Sequence, residues 1–118
     1  MAKTITREEL KRRLDAGEPL VLFEALPQEY YDHAHLPGAV RLNYDEAEER
    51  AFWLAPDRFA PVVAYCASDT CPNSHKLAEI LEAQGYTDVS VYVGGKKEWI
   101  AAGYPVVGKH AAAQKEAA

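Results

Sequence analysis

The chain has 118 residues, 48% of them hydrophobic and 26% charged, and its net charge is −5. That length suits one domain whose single core needs no disulfide or metal to hold it, and the composition is globular rather than disordered. The acidic balance disfavours a nucleic-acid partner, and no apolar run approaches the roughly 18 residues of a membrane span.

The first ten residues, MAKTITREEL, carry no hydrophobic core of a signal peptide, so a cytoplasmic location is expected. Thr4 and Ile5 suit a very short strand. Thr6-Arg7-Glu8-Glu9 has the form of a capping box, in which Thr6 accepts from the Glu9 N–H and Glu9 reaches back. Leu10 and Leu14 then mark one helical face, Gly17 ends the helix, and Lys11-Arg12-Arg13 is its solvated side. Residues 20–23, Leu-Val-Leu-Phe, form a continuous apolar run that suits a strand buried on both faces, with Glu24 at its end. Residues 28–33 suit a short helix with Tyr30 and Tyr31 partly packed. Pro37-Gly38 makes a turn into a second short strand over 39–42. Residues 45–53 form a polar helix with Ala47, Ala51 and Phe52 as its apolar side, and 56–61 is a linker.

The apolar run 62–65, Val-Val-Ala-Tyr, then stops at Cys66. Small and polar residues follow until a helical pattern begins near Ser74, with Leu77, Ile80 and Leu81 facing inward and Gly85 as the stop. Residues 89–93 form another strand. Gly94-Gly95 turns into a helix containing Trp99 and Ile100, and 103–107 closes the domain. Strands alternating with helices favour βαβ units and a mainly parallel sheet covered on both faces, an α/β fold. In such sheets chemistry sits beyond the carboxyl ends of the strands, where Cys66 lies.

Two cysteines, Cys66 and Cys71, stand close together in a chain expected in a compartment that keeps thiols reduced, which asks for a redox, metal or nucleophile explanation. A thiol at a strand end, with loop N–H groups and a helix N-terminus facing it, is expected to have its pKa lowered from about 8.5. The same donors would accept an anion. Cys66 is the candidate nucleophile. The candidate anion-binding loop is Ala67, Ser68, Asp69, Thr70, Asn73 and Ser74. Cys71 is either a resolving thiol that closes a disulfide with Cys66 or an idle, packed one. A metal site would need Cys66, Cys71, His75 and a further ligand such as His35, and that spacing matches no zinc pattern. No metal and no cofactor is expected. Phosphoryl transfer on a Cys-x5-Arg loop is disfavoured because position 72 is Pro and no Arg follows Arg58.

Three segments in order resemble single-domain rhodaneses. AHLPGAV, residues 34–40, is similar to the family's N-terminal signature. VYVGGKKEWIAAGYPV, residues 91–106, is similar to its C-terminal one. Between them, Tyr65-Cys66 falls where the family carries its catalytic cysteine. The resemblance implies a three-layer domain over 1–107, a mainly parallel five-stranded sheet with helices on both faces, and a flexible tail over 108–118. It implies a sulfurtransferase that carries sulfane sulfur as a Cys66 persulfide from thiosulfate or a thiol persulfide to a thiophilic acceptor. The alternative is a weakly catalytic regulatory or redox-sensing module using Cys66 and Cys71. Partners would be a small-molecule or protein sulfur donor and acceptor, without nucleic acid or membrane, the chain being a monomer or weak homodimer. Departures from the family pattern are Glu24-Ala25-Leu26 where Asp-x-Arg is usual, and a longer active loop that contains Asp69 and no cation. Weak activity toward dianionic thiosulfate is therefore expected. Glu24 and His35 are expected to tie the second strand to the following turn rather than to act as acid and base. Trp99 is expected to pack in the core, Trp53 to shield the loop or cap a helix, and His75 to be partly exposed.

Overall fold

A computed structural model describes residues 2–109. Five parallel strands form one sheet in the order β1-β5-β4-β2-β3: β1 (Lys3–Ile5), β2 (Val21–Glu24), β3 (Val40–Arg41), β4 (Val62–Tyr65) and β5 (Val89–Tyr92). Between them run α1 (Arg7–Asp15), α2 (Gln28–His33), α3 (Ala47–Leu54) after a 3-10 turn at Tyr44–Glu46, α4 (Asn73–Ala83) and α5 (Gly95–Ala101). The all-parallel order places β4 second from neither edge but in the centre, paired to β2 on one side and β5 on the other. All four β4 residues are buried, as a continuous apolar run covered on both faces requires.

Local signals explain the element ends. Thr6 Oγ1 accepts from the Glu9 N–H at 3.1 Å and starts α1. The other half of the expected capping box gives way to ion pairing, the Glu9 carboxylate taking Arg12 and Arg13. Those guanidinium groups hold the Glu9 carboxyl down at about 2. Gly17, at φ +67°, ends α1 in a conformation that a side chain disfavours.

The sheet separates two cores. Successive strand residues point to opposite faces, so Val62, Ala64 and Cys66 join one cluster with Phe23, Leu77 and Leu81 beneath α3 and α4. Val63 and Tyr65 join the other, with Leu10, Leu22, Leu36, Tyr92 and Trp99 beneath α1 and α5. This parity decides the site, because it sends the Cys66 sulfur toward α4 and the Tyr65 ring to the opposite face.

Two expectations need correcting. The strand expected over 39–42 is reduced to Val40–Arg41. Phe52 does not face the core: it is 52% exposed beneath the Arg58 guanidinium, whereas Ala47 and Ala51 supply the inward face of α3. Trp53, expected to shield the loop or cap a helix, lies in the last turn of α3 and is 84% exposed. Trp99 is buried as expected, its indole N–H donating to the Pro105 carbonyl at 2.8 Å and its ring meeting Tyr104 edge-on. Residues 110–118 of the expected tail lie outside the described residues. No described helix is long and apolar enough to cross a membrane.

Candidate active site

Cys66 follows the last residue of β4, and its side chain is 1% exposed. Its S–H is directed at the Cys71 carbonyl, 3.3 Å away, with the Ser74 hydroxyl at 3.5 Å. The Ser74 N–H, in the first turn of α4, favours the charged form of the sulfur, and Cys71 packs against the apolar cluster that contains Cys66. Ser74 is itself buried, so these donors are fixed in direction rather than free to turn toward water.

The balance of forces on the thiol differs from the sequence expectation. Burial pushes the Cys66 thiol above its ordinary value, and the neighbouring Cys71 thiol adds to that, while the Ser74 donors pull the other way. Desolvation disfavours the thiolate more than one helix N-terminus and one hydroxyl favour it. Of the loop donors expected at the sulfur, Ser74 faces it, the Cys71 N–H turns instead to the Ser68 carbonyl, and Cys66 shares its apolar cluster with Leu77, Ala64 and Phe23.

The backbone behind the sulfur is held by α5. The Lys96 N–H donates to the Cys66 carbonyl and the Lys97 N–H to the Ala67 carbonyl, both at 2.9 Å. Gly95 makes this approach possible. Its φ is +70°, and a Cβ there would lie 2.7 Å from the Cys66 carbonyl oxygen.

The remaining loop residues divide between the sulfur and the rim. The Ser68 carbonyl accepts from the Cys71 N–H at 3.2 Å, and the Ser68 and Thr70 hydroxyls meet at 3.1 Å, which folds the loop back over Cys66. Asn73 opens α4. Asp69 and Thr70 are exposed, and Asp69 lines an outer groove with Ser68, Gly94, Lys97 and Glu98. Lys97 thus brings to the loop edge a cation that the loop sequence itself lacks. His75 is exposed on α4, and His35 stacks on Tyr31 at 3.8 Å while its Nδ1 meets the Tyr31 carbonyl at 2.8 Å. Among the described residues, no three His, Cys, Asp or Glu side chains gather as metal ligands.

A buried polar network on the opposite sheet face went unrecognised in the sequence. Glu24 is fully buried at the end of β2, in register with Tyr65, whose hydroxyl donates to Glu24 Oε1 at 2.7 Å and accepts from the Leu36 N–H at 3.1 Å. Lys96, only 8% exposed, places its Nζ 3.2 Å from both Glu24 oxygens and donates to the carbonyls of Ala34 at 2.6 Å and Tyr30 at 3.0 Å. Burial pushes the Glu24 carboxyl up, and Tyr65 and Lys96 oppose that rise. The link from β2 to the following turn is therefore made by Glu24 through Tyr65, without His35 as its direct partner. The Lys96 ammonium stands as the cation of this network. Sequence held one available signal, a Gly-Gly-Lys start that puts position 96 on the inward side of α5 beside Trp99.

A central-strand cysteine over a helix N-terminus in a five-stranded parallel sheet defines a thiol-based site on an α/β scaffold. The chain belongs to the rhodanese-like domain family, whose family model matches residues 6–102. It is 37% identical over 102 residues to the HTH-type transcriptional regulator Rv0324 of Mycobacterium tuberculosis, covering 86% of this chain and 43% of the relative. It is 34% identical over 70 residues to the thiosulfate sulfurtransferase PspE of Escherichia coli, covering 59% of this chain and 64% of that protein. Among solved structures, the rhodanese-like domain of the Anabaena sp. Alr3790 protein superposes with a TM-score of 0.80 at 26% identity, covering 93% of this chain and 82% of that one. The chain spans less than two thirds of the length of the curated relatives it matches.

Proposed function

We propose that this domain is a sulfurtransferase that carries sulfane sulfur as a Cys66 persulfide between a sulfur donor and a thiophilic acceptor. The observation that carries the reading is the Cys66 sulfur at the end of the central strand, facing the N–H and hydroxyl of Ser74 in the first turn of α4. Those fixed donors suit an anionic sulfur without a metal. Likeness to a thiosulfate sulfurtransferase supports the same chemistry. In the reaction, the Cys66 thiolate attacks the sulfane sulfur, the donor leaves with the bonding pair, and an acceptor thiolate then removes the outer sulfur.

The exposed Asp69 carboxylate on the loop favours a thiol persulfide over dianionic thiosulfate. Intact-mass spectrometry after incubation with each donor tests this. Gain of one sulfur, about 32 Da, is expected in a Cys71→Ser variant, where no second thiol can remove it, and is absent in a folded Cys66→Ser variant. A wild-type protein that stays unmodified by both donors would refute it. One observation favours a second reading, a sulfur- or redox-responsive module. The transcriptional regulator Rv0324 shares this region at 37% identity. A Cys66–Cys71 disulfide that forms readily while no persulfide can be trapped in any variant would decide for that reading.

A further inference from the structure

The loop closes on itself in a way that a simple persulfide carrier does not require. The Cys71 N–H bonds back to the Ser68 carbonyl, and the Cys71 carbonyl takes the Cys66 S–H at 3.3 Å. Cys71 also packs against the apolar cluster that contains Cys66. Both are free thiols; Cys66 is buried and Cys71 is partly exposed. The turn thus keeps a partly exposed cysteine beside the buried one.

We propose that Cys71 resolves the Cys66 persulfide from within the same chain, releasing hydrosulfide and leaving a Cys66–Cys71 disulfide. The proposal rests on the sulfurtransferase reading, since it needs a loaded Cys66. Cys71 loses its proton to solvent, and its thiolate attacks the inner sulfur, Cys66 Sγ. The Sγ–Sγ bond forms as the bond from Cys66 Sγ to the outer sulfur breaks, and the outer sulfur leaves with the bonding pair and its own proton as HS−. That sulfur is reduced by two electrons, and each cysteine sulfur is oxidised by one, so no external oxidant is needed. A low-molecular-weight thiol or a protein dithiol then reduces the disulfide and resets the site. Cys71 reaches solvent and is the sulfur open to that reductant.

Tethering favours this route. A thiol already beside Cys66 acts at an effective concentration far above that of a free acceptor, whereas a bulky acceptor would have to reach a sulfur that is 1% exposed. The domain then converts sulfane sulfur to sulfide, with Cys71 as a second reacting thiol.

The experiment is a single turnover under anaerobic conditions with one equivalent of glutathione persulfide and no added thiol. Sulfide and intact mass are read together for wild type, Cys71→Ser, Cys71→Ala and Cys66→Ser. The expected result is a wild-type mass lower by about 2 Da, with matching sulfide. Both Cys71 variants should hold the added sulfur, about 32 Da, and release about tenfold less sulfide than wild type. Wild type and Cys71 variants that retain the persulfide equally would overturn the resolving role and leave the sulfurtransferase reading intact. A wild-type disulfide without matching sulfide would overturn it too, because the oxidant would then lie outside the persulfide. If no Cys71 variant takes up sulfur, the sulfurtransferase reading fails and the inference fails with it.

Discussion

Lys96→Met is the sharpest test of how the site is held. The substitution keeps the apolar stem of Lys96 and removes an ammonium that serves both Glu24 oxygens and two backbone carbonyls. Among the described residues, Glu24 is then left fully buried with the Tyr65 hydroxyl as its remaining hydrogen-bond partner. Removing one member of a buried ion pair costs about 3–5 kcal/mol. At a urea slope of about 1.5 kcal/mol per M, that lowers the unfolding midpoint by about 2–3 M. The loss should depend on pH. Burial already raises the Glu24 carboxyl, and removing Lys96 raises it further. Between the unfolded value of about 4.3 and that raised folded value, the unfolded chain binds fewer protons, so the variant loses stability as pH rises through the window. The penalty should be smaller near pH 5 than near pH 8, because protonated Glu24 no longer needs the cation. Far-UV circular dichroism during urea unfolding at both pH values measures it, and Glu24→Gln combined with Lys96→Met should recover part of the loss at pH 8. A penalty under about 1 kcal/mol at pH 8, or one equal at both pH values, would refute the buried pair.

Three further outcomes are expected. Alkylation of Cys66 by iodoacetamide, followed by peptide mass spectrometry, should keep accelerating past the ordinary thiol value of about 8.5, because burial holds the thiol protonated; a plateau below that value would contradict the dominance of burial. Gly95→Ala should cost at least about 1–2 kcal/mol from its positive φ alone. Its new Cβ would also press on the Cys66 carbonyl, so sulfur loading by mass spectrometry should fall with it. Trp99→Ala should cost about 3–5 kcal/mol by urea unfolding, since it empties a buried indole site and orphans the Pro105 carbonyl.

Much of the scaffold was legible in the chain because it follows from local periodicity and backbone rules. The run 62–65 had to be a strand covered on both faces, Thr6 and Gly17 bracketed α1, and a thiol at a strand end beside a helix start marked the site. Phe52 and Trp53 show where such reasoning fails. Apolar type suggested a packed face for the first, yet α3 buries only its alanines against α4, and both aromatics remain at the surface.

The sequence by itself determined the α/β class, the position of Cys66 and the presence of Cys71 nearby, since each depends on residues adjacent in the chain. Tertiary structure alone decided what surrounds them. Lys96 and Lys97 are neighbours of one residue type, yet one is buried on a carboxylate 72 positions away and the other is exposed beside the loop. The phase of α5 against the sheet separates them, and only packing sets that phase. The ionisation of Cys66 was undecided for the same reason: a thiol responds to the dielectric around it as well as to its donors, and that dielectric exists only once distant apolar residues have closed over the strand end.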